Sequence, residues 1–537
     1  MDNSDAVRLS RRQLLAGAAG FGIALGAGGL LAACGGGGGG GGGGTTSGGQ
    51  TTGAAAGQPV RGGTLRIGIV GAGTAETLNP TIGVTPIDQA RAQNLYDPLV
   101  IVNPDLTTGP GLALEWNPNA DATEYEVKLR PDVTFHNGKT FTAQDVVYSI
   151  GLMGKETSFA LPFVSNINLR DLKAIDDTTV KIPLKGPDAD LASNFTYYNT
   201  WIVQDGETDF TKPVGTGPFK FESFTPGKQS VFTKNPDYWV TGKPYVDSLK
   251  IVAISDTTAR LNALLSGEIE GMGFLPAAQA KAHKATGDIT VLDAPSLQAF
   301  MFYMDTTKPP FDDNNVRLAM RLIADRQALI DGALGGFGSI ANDIVGKGLP
   351  FYDDSLPQRV QDIEQAKSLL KKAGQENLTV QLFTSQIITG FVEAATLLAE
   401  QAKAAGVTIK LKQVPPDSYY NPSLLYLKMP FAETQWPISA LKFFYLQALA
   451  SDAPYNETHW QSSSWSGLLR QAIAELDKTK AQELWNEVQK IQYDQGGYLQ
   501  WTNADWIDGL SKQMKGLDPH PAGAMGNFLF LNVSLQA

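Results

Sequence analysis

The sequence has little of the chemistry that metal proteins, disulfide-rich proteins and nucleic-acid-binding proteins need. Among its 537 residues there are one cysteine and four histidines, which exclude a disulfide framework and leave few ligands for zinc. Acidic residues outnumber basic ones, 54 to 43, and a net charge of -11 argues against a nucleic-acid partner. The length predicts about two to four globular domains.

Catalytic and cofactor motifs are also missing. There is no phosphate loop, complete G-x-G-x-x-G, H-E-x-x-H or G-x-S-x-G. Ser368 and Lys371 fit S-x-x-K, but they lie in an amphipathic helical pattern, which indicates a chance match. The run 312–315 lacks the spacing of a calcium loop, and His136 is a lone imidazole in a turn, so both are predicted to be structural. These absences favour a binding protein without metal or cofactor over an enzyme.

The N-terminus has the pattern of an export signal. Arg11 and Arg12 lie in a twin-arginine motif, and residues 14–33 follow without a charge. The sequence Leu-Ala-Ala-Cys that ends at Cys34 resembles a lipobox, in which the cysteine sulfur receives a diacylglycerol. An uncleaved transmembrane anchor and a buried structural cysteine are the alternatives. A lipoprotein is favoured because ten glycines directly follow Cys34 and offer nothing to bury it.

These features predict a lipid-anchored protein on the periplasmic side of the cytoplasmic membrane. Residues 1–33 are the expected signal peptide, and residues 34–59 are a flexible glycine-rich tether. Because the body is acidic, it is not attracted to anionic lipid, and the acyl chains of Cys34 must hold it at the bilayer.

From residue 60 onward, short strand patterns alternate with helical ones, as in mixed α/β domains. Residues 64–70 and 249–254 are predicted strands, and a helix is predicted at 258–265. Residues 124–130 alternate polar and apolar side chains, which predicts a half-buried antiparallel strand. Thr142–Asp145 resembles a capping box and predicts a helix start.

The C-terminal half has the pattern of a separate α/β lobe. Helices are predicted at 362–373 and 391–405, next to strands at 378–382 and 407–411. The β-α-β order predicts a parallel pair with a crossover helix. The apolar residues 528–531 predict a late strand that returns to the first lobe.

Motifs spread over nearly the whole body resemble one protein family. In chain order they are Tyr96–Leu99, Ala113–Trp116, Tyr125–Ile150, Gly215–Phe219, Asn235–Trp239, Ser266–Glu270 and Pro310–Met320. In order and spacing they are similar to the extracellular solute-binding proteins of family 5, which serve peptide- and nickel-type ABC transporters.

The resemblance implies a two-lobed periplasmic-binding-protein fold of the class II type, with two hinge strands and a small extra domain. Lobe I would comprise 60–95, 206–303 and 507–537, the extra domain 96–205, and lobe II 304–506. A solute would bind between the lobes, the hinge would close over it, and a membrane permease would recognise the closed form.

Eleven aromatic residues lie within 419–465, a region that the resemblance places in lobe II. For most of them, packing in the core is the simpler interpretation. Trp436 is singled out because Gln435-Trp436-Pro437 is predicted to interrupt regular structure where the family has cleft residues. Aromatic walls with a few polar groups suit an organic ligand.

Two other segments supply candidate ligand-binding residues. Thr77, Leu78 and Asn79 follow the first strand, in a loop that faces the crevice in the family. Thr216 and Gly217 lie in a turn near the expected hinge, where backbone geometry explains the glycine equally well.

The sequence departs from peptide-binding members of the family at one position. These members carry a Trp-x-x-Asp segment whose aspartate pairs with the α-amino group of the peptide, whereas Ser439 follows Trp436 here. Burying an ammonium group without an opposite charge costs several kcal/mol, so a free peptide N-terminus is disfavoured. Glu433 is the candidate substitute. Nickel binding is disfavoured because metal ligands are not concentrated anywhere in the sequence.

Three functional hypotheses follow. The first is a monomeric substrate-binding lipoprotein of an ABC importer that captures a peptide-sized organic solute. The second is an envelope receptor or chaperone that uses the same fold without an importer, and adjacent permease genes would separate these two. The third is a hydrolase, which the missing motifs disfavour.

Overall fold

The computed structural model describes residues 58–421 and 423–536. Arg11, Arg12 and Cys34, with the expected signal peptide and nearly all of the tether, lie outside these residues. Within the described part of the chain, no helix is long and apolar enough to cross a bilayer.

Strands and helices alternate along the described chain. The strands are β1 (Thr64–Ile69), β2 (Val100–Val102), β3 (Thr108–Pro110), β4 (Ala113–Pro118), β5 (Glu124–Leu129), β6 (Lys173–Asp176), β7 (Thr179–Pro183), β8 (Phe219–Thr225), β9 (Gln229–Lys234), β10 (Ser248–Ala253), β11 (Gly271–Met272), β12 (Thr290–Met304), β13 (Gly338–Ile340), β14 (Thr379–Thr384), β15 (Thr408–Gln413), β16 (Phe431–Pro437), β17 (Tyr498–Leu510), β18 (Met514–Lys515) and β19 (Ser534–Leu535). The α-helices are α1 (Pro86–Leu95), α2 (Ala143–Met153), α3 (Leu161–Val164), α4 (Thr257–Leu265), α5 (Ala277–Thr286), α6 (Asn314–Ile323), α7 (Arg326–Ala333), α8 (Ile363–Lys372), α9 (Phe391–Lys403), α10 (Pro416–Tyr419), α11 (Leu441–Phe444), α12 (Ser463–Ala474) and α13 (Lys478–Gln495).

One large sheet runs through both lobes. Its strand order is β15-β14-β16-β12-β17-β11-β1-β10-β9-β8, with β13 paired to β17. The long antiparallel strands β12 and β17 belong to both halves, because β16 pairs with one end of β12 and β11 pairs with the opposite end of β17. Their mutual pairing is interrupted between Ala294 and Gln298. These two strands therefore form the hinge.

The extra domain is built on the four-stranded antiparallel sheet β4-β5-β7-β6. Strand β5 alternates buried and more exposed residues, as its sequence predicts. The predicted capping box is present, since Thr142 and Asp145 bond reciprocally at the start of α2. His136 is structural, as predicted. Its Nδ1 accepts the N–H of Gly215, its Nε2 contacts the carbonyl of Gly217, and burial lowers its pKa to about 4.

Lobe II confirms the predicted β-α-β unit. Strands β14 and β15 are parallel, and α9 is the crossover helix between them. Of the eleven aromatic residues in 419–465, nine are buried, and Trp436 and Tyr455 are partly exposed. The core interpretation is therefore right for most of this set, and two members remain available to a ligand.

The predicted interruption at Gln435-Trp436-Pro437 is wrong. Strand β16 continues through Pro437, which pairs with Gln298. The proline is tolerated because Ile438 supplies the neighbouring N–H to β12, and the other side of β16 is unpaired at Pro437, since β14 pairs with it only at Ala432. Trp436 consequently lies on a rigid strand.

The predicted strand at 528–531 is also wrong. The four residues from Met525 to Phe528 have φ angles of 50°, 62°, 59° and 57°, so the chain makes a left-handed turn there. Asp508 accepts the backbone N–H of Met525, and the Asn94 amide bonds Phe528 and Phe530. Tertiary contacts thus override the local preference for a strand. The segment does return to lobe I, where Phe528 and Phe530 join its core.

Candidate functional site

Aromatic rings from the extra domain and from lobe II are in direct contact where the two domains face each other. Phe163 stacks on Tyr197 with ring centroids 4.0 Å apart, and it meets Phe443 of lobe II edge to face at 4.6 Å. The Tyr197 hydroxyl donates to that of Tyr198 at 2.6 Å. Burial raises the pKa of Tyr198 to about 12, so this phenol is neutral at physiological pH.

Trp436 of lobe II lies near these rings, since it packs against the residue that follows Phe443 in the chain. Its ring packs edge to face on Phe444, with centroids 5.5 Å apart, and lies 6.1 Å from the ring of Tyr455. Its Nε1–H donates to the carboxylate of Glu457 at 3.2 Å. The ring is held on several sides and remains partly exposed, which is what a rigid binding wall requires.

A buried ion pair joins the extra domain to lobe II. The Lys442 ammonium lies 2.8 Å from the Asp188 carboxylate, and their side chains are only 5 % and 7 % exposed. Lys442 also donates to the carbonyl of Asp190, and the Ala189 N–H donates to the carbonyl of Ile473 at 2.8 Å. We call Asp188, Ala189, Lys442 and Ile473 the latch.

A cavity of about 520 Å³ lies between the same two domains. Ser193 and Thr196 line it from the extra domain, and Ser439 and Ala440 line it from lobe II, next to the latch. Ser439 occupies the position of the missing aspartate and brings no charge to the cavity.

The predicted loop of lobe I lies next to this aromatic region. The N–H of Thr77 donates to Asp88, and the Asn199 amide holds the end of the loop by donating to the carbonyls of Pro80 and Gly83. Because Asn199 directly follows Tyr198, the loop is fixed beside the extra-domain rings. Thr77 and Asn79 are partly exposed, whereas Leu78 is buried.

Thr216 and Gly217 are occupied by internal contacts. The Thr216 hydroxyl is buried and donates to Asp97 at 2.8 Å. A Cβ atom at Gly217 would lie 2.6 Å from the carbonyl carbon of Leu95, so only glycine fits there. Packing accounts for both positions, which weighs against a role in ligand binding.

Glu433 does not face the same side of the sheet as Trp436, because alternate strand residues point to opposite faces. Its side chain is in the core of lobe II, where the carboxyl has the Thr384 hydroxyl as a polar neighbour but forms no well-aligned hydrogen bond among the described residues. Burial raises its pKa well above the usual value. It is therefore poorly placed to replace the missing aspartate.

Sequence reasoning missed the residues that bridge the domains. Asp188 and Lys442 are 254 positions apart, and neither belongs to a motif. Tyr197 and Tyr198 lie outside the aromatic-rich region. Glu457 lies inside that region, but nothing in the sequence shows that it faces Trp436. Within the described residues, no cluster of histidine, cysteine and acidic side chains suits a metal ion.

Two α/β lobes on paired hinge strands, with a cavity and facing aromatic rings between the extra domain and lobe II, define a two-lobed binding protein. The chain belongs to the bacterial extracellular solute-binding proteins, family 5, whose model matches residues 107–457.

Individual relatives are similar over most of their length. The dipeptide-binding protein of Escherichia coli K12 is 26% identical over 509 residues, which cover 86% of this chain and 93% of that protein. A glutathione-binding protein of Pectobacterium atrosepticum is 25% identical over 81% of this chain and 86% of its own length. Among solved structures, the ABC transporter substrate-binding protein CtaP of Listeria monocytogenes has a TM-score of 0.79 at 23% identity, covering 89% of this chain and all of that one. This last likeness shows the fold.

Proposed function

We propose that the protein is the substrate-binding component of an ABC importer and captures a peptide-sized organic solute between its lobes. The observation that carries the proposal is the hinge of strands β12 and β17, which joins the two lobes beside the cavity and the facing aromatic rings of the extra domain and lobe II. Family membership supports it, as do relatives named for binding dipeptides and glutathione. The function is binding and delivery to a membrane permease, without catalysis.

The binding cycle uses the domain arrangement that the family resemblance implies. Lobe I comprises 60–95, 206–303 and 507–537, the extra domain 96–205, and lobe II 304–506. The solute stabilises the closed arrangement because only that arrangement surrounds it. Small-angle scattering should therefore show a more compact protein with solute than without it.

The body is anchored to the outer face of the cytoplasmic membrane. The proposed anchor is a diacylglycerol on Cys34, after export through the twin-arginine signal that contains Arg11 and Arg12. The glycine-rich segment to residue 59 is the tether between lipid and body. Such a tether lets the cleft sample many orientations near a permease.

The solute binds without a free α-amino group at the Trp436 end of the cleft. Ser439 carries no charge, Glu433 is buried on the opposite face of the strand, and Asp188 is neutralised by Lys442. The Glu457 carboxylate beside Trp436 is buried and already accepts four hydrogen bonds, so an ammonium group there would lose its hydration without gaining a free carboxylate. Neutral or anionic solutes should therefore bind at least as well as free-amine peptides.

Calorimetry with a tripeptide and its N-acetylated form tests this proposal. Both forms should bind, with the acetylated form equal or tighter, and Trp436→Ala should weaken binding by ~1–3 kcal/mol because a well-packed aromatic contact is lost. The melting temperature of the variant shows whether it is folded. Loss of binding on acetylation would mean that the cleft requires the amine after all.

A further inference from the structure

The Glu457 carboxylate is fully buried and accepts four hydrogen bonds. Tyr426 and Thr434 donate to Oε1 at 2.8 and 2.7 Å, and Trp436 and Tyr498 donate to Oε2 at 3.2 and 3.0 Å. All four donors are uncharged groups. Burying a carboxyl group without a cation is costly, and the four hydrogen bonds are what offset this cost at Glu457.

One of the four donors differs from the others. Hydroxyl groups of tyrosine and threonine can rotate and act as acceptors, whereas an indole N–H can only donate. A carboxylate has acceptor positions on both oxygens and satisfies all four donors at once. Trp436 is therefore the donor that requires an acceptor at this place.

The same loop holds the Trp436 ring in a second way. Residues 455–457 carry both Tyr455, whose ring packs against Trp436, and Glu457, which binds its N–H. The N–H of Glu457 donates to the carbonyl of Tyr455 at 2.7 Å, which fixes the loop itself. Phe444 contacts the ring as well.

We infer that Glu457 is the positioning residue of the cleft: its carboxylate fixes the Trp436 indole in the one orientation that the solute meets. The inference deepens the proposed function and rests on it for the role of Trp436 in binding. The Trp436 ring is then already ordered before the solute binds. Binding therefore does not have to include the entropic cost of fixing that ring.

The test compares Glu457→Met with Glu457→Gln. Methionine removes every acceptor, so the Trp436 indole proton, observed by NMR with ¹⁵N-labelled tryptophan, should exchange at least tenfold faster than in wild type. Glutamine keeps a carbonyl oxygen for the indole, and its NH₂ can donate to the Tyr426 and Thr434 hydroxyls, so exchange should stay within about threefold of wild type. Trp436→Phe assigns the signal by removing it.

Affinity for the N-acetylated tripeptide should follow the same order. Glu457→Met should weaken binding about tenfold, and Glu457→Gln should largely restore it, even if both variants melt at lower temperature. An indole proton that exchanges equally slowly in the methionine variant would overturn the inference. So would equal affinities of the folded methionine variant and wild type.

A second pair of variants decides the matter if Glu457→Met does not fold. Trp436→Phe keeps a ring but loses the N–H, and it should bind the peptide about tenfold more weakly. Trp465→Phe removes an indole N–H of the same kind, which donates to the carbonyl of Val488 in the core of lobe II, and it should bind as wild type does. Equal affinities of these two variants would refute the positioning role. If wild type binds neither peptide form, the proposed ligand class fails, while the exchange data still judge the role of Glu457.

Discussion

Two glutamates near the same strand of lobe II show how much the surroundings decide what a carboxylate does. Glu457 accepts four hydrogen bonds, whereas Glu433 has the Thr384 hydroxyl as a polar neighbour and forms no well-aligned hydrogen bond among the described residues. Burial raises the pKa of both groups, and for Glu433 the rise is large. Glu433 therefore lowers the stability of the fold, whereas Glu457 holds four neighbouring side chains in place.

Glu433→Gln should leave the free energy of unfolding unchanged or raise it by about 1–3 kcal/mol at pH 7.5, because the buried acid must take up a proton on folding whereas glutamine is already neutral. Because the pKa of Glu433 is raised in the folded state, the stability of the wild type falls as the pH rises. The stability of the variant should fall less over the same pH range. Urea denaturation measures both effects.

Glu457→Met is the matched control for this experiment, since it leaves four donors without an acceptor and must lower stability. A Glu433→Gln variant that is as unstable as this control would show that Glu433 has partners after all. Peptide affinity should be unchanged in Glu433→Gln, because the residue faces away from Trp436.

For single residues, the sequence predicts a role only where that role depends on neighbouring residues in the chain. Trp436 and the missing acid at Ser439 are visible because they lie in one motif. Asp188 and Lys442 are not, since their pairing depends on how two domains approach each other. Thr216 and Gly217 matched a family motif, but they are used for packing.

Among the elements, the left-handed turn from Met525 to Phe528 is the one that depends most on tertiary contacts. Asp508 on β17 accepts N–H groups from Phe274 and Met525 and thereby ties the turn to lobe I. Burial raises the pKa of Asp508 from 3.8 to about 7. The folded protein then binds this proton more tightly than the unfolded chain does.

The contribution of Asp508 to stability is therefore complete below pH ~4 and is lost as the pH rises through about 7. Asp508→Asn should be less stable than wild type at pH 5, because its amide offers one oxygen to two N–H groups. It should also lose less stability between pH 5 and pH 8. Urea denaturation at both values tests this, and parallel pH profiles for the two proteins would contradict it.

Elements with local signals were predicted well. The capping box at Thr142 and the alternation in β5 depend on short-range chemistry, and both are present. The turn and the course of β16 were mispredicted, because an apolar run and a proline have the opposite local preference. In both cases hydrogen bonds to distant segments decide the conformation.

For the whole molecule, the latch connects lobe II to the extra domain. The extra domain is in turn held to lobe I, because Asn199 bonds the carbonyls of Pro80 and Gly83. The ion pair of the latch is almost completely buried, so it exists only when the extra domain and lobe II are together. The contact of Phe163 with Phe443 adds apolar area to the same interface. Closure is thus favoured by contacts that do not involve the solute.

Lys442→Met should shift the protein towards the open form, because the Asp188 carboxylate would be buried without an opposite charge. Scattering should show larger dimensions without solute, and affinity for the N-acetylated tripeptide should fall about tenfold as the closed fraction declines. The double variant Asp188→Asn/Lys442→Met removes both charges and should be affected less. Unchanged dimensions in the single variant would mean that the ion pair does not stabilise closure.

The burial of this ion pair also has a kinetic consequence. In the open protein both charges are hydrated, and dissolved ions screen their attraction, so added salt slows closing. Once the pair is buried, screening is weak, and the rate at which a captured solute escapes depends little on ionic strength. The time that the solute stays bound then depends on the buried ion pair and not on the salt around the protein. A permease that separates Asp188 from Lys442 would shorten this time at the moment of delivery.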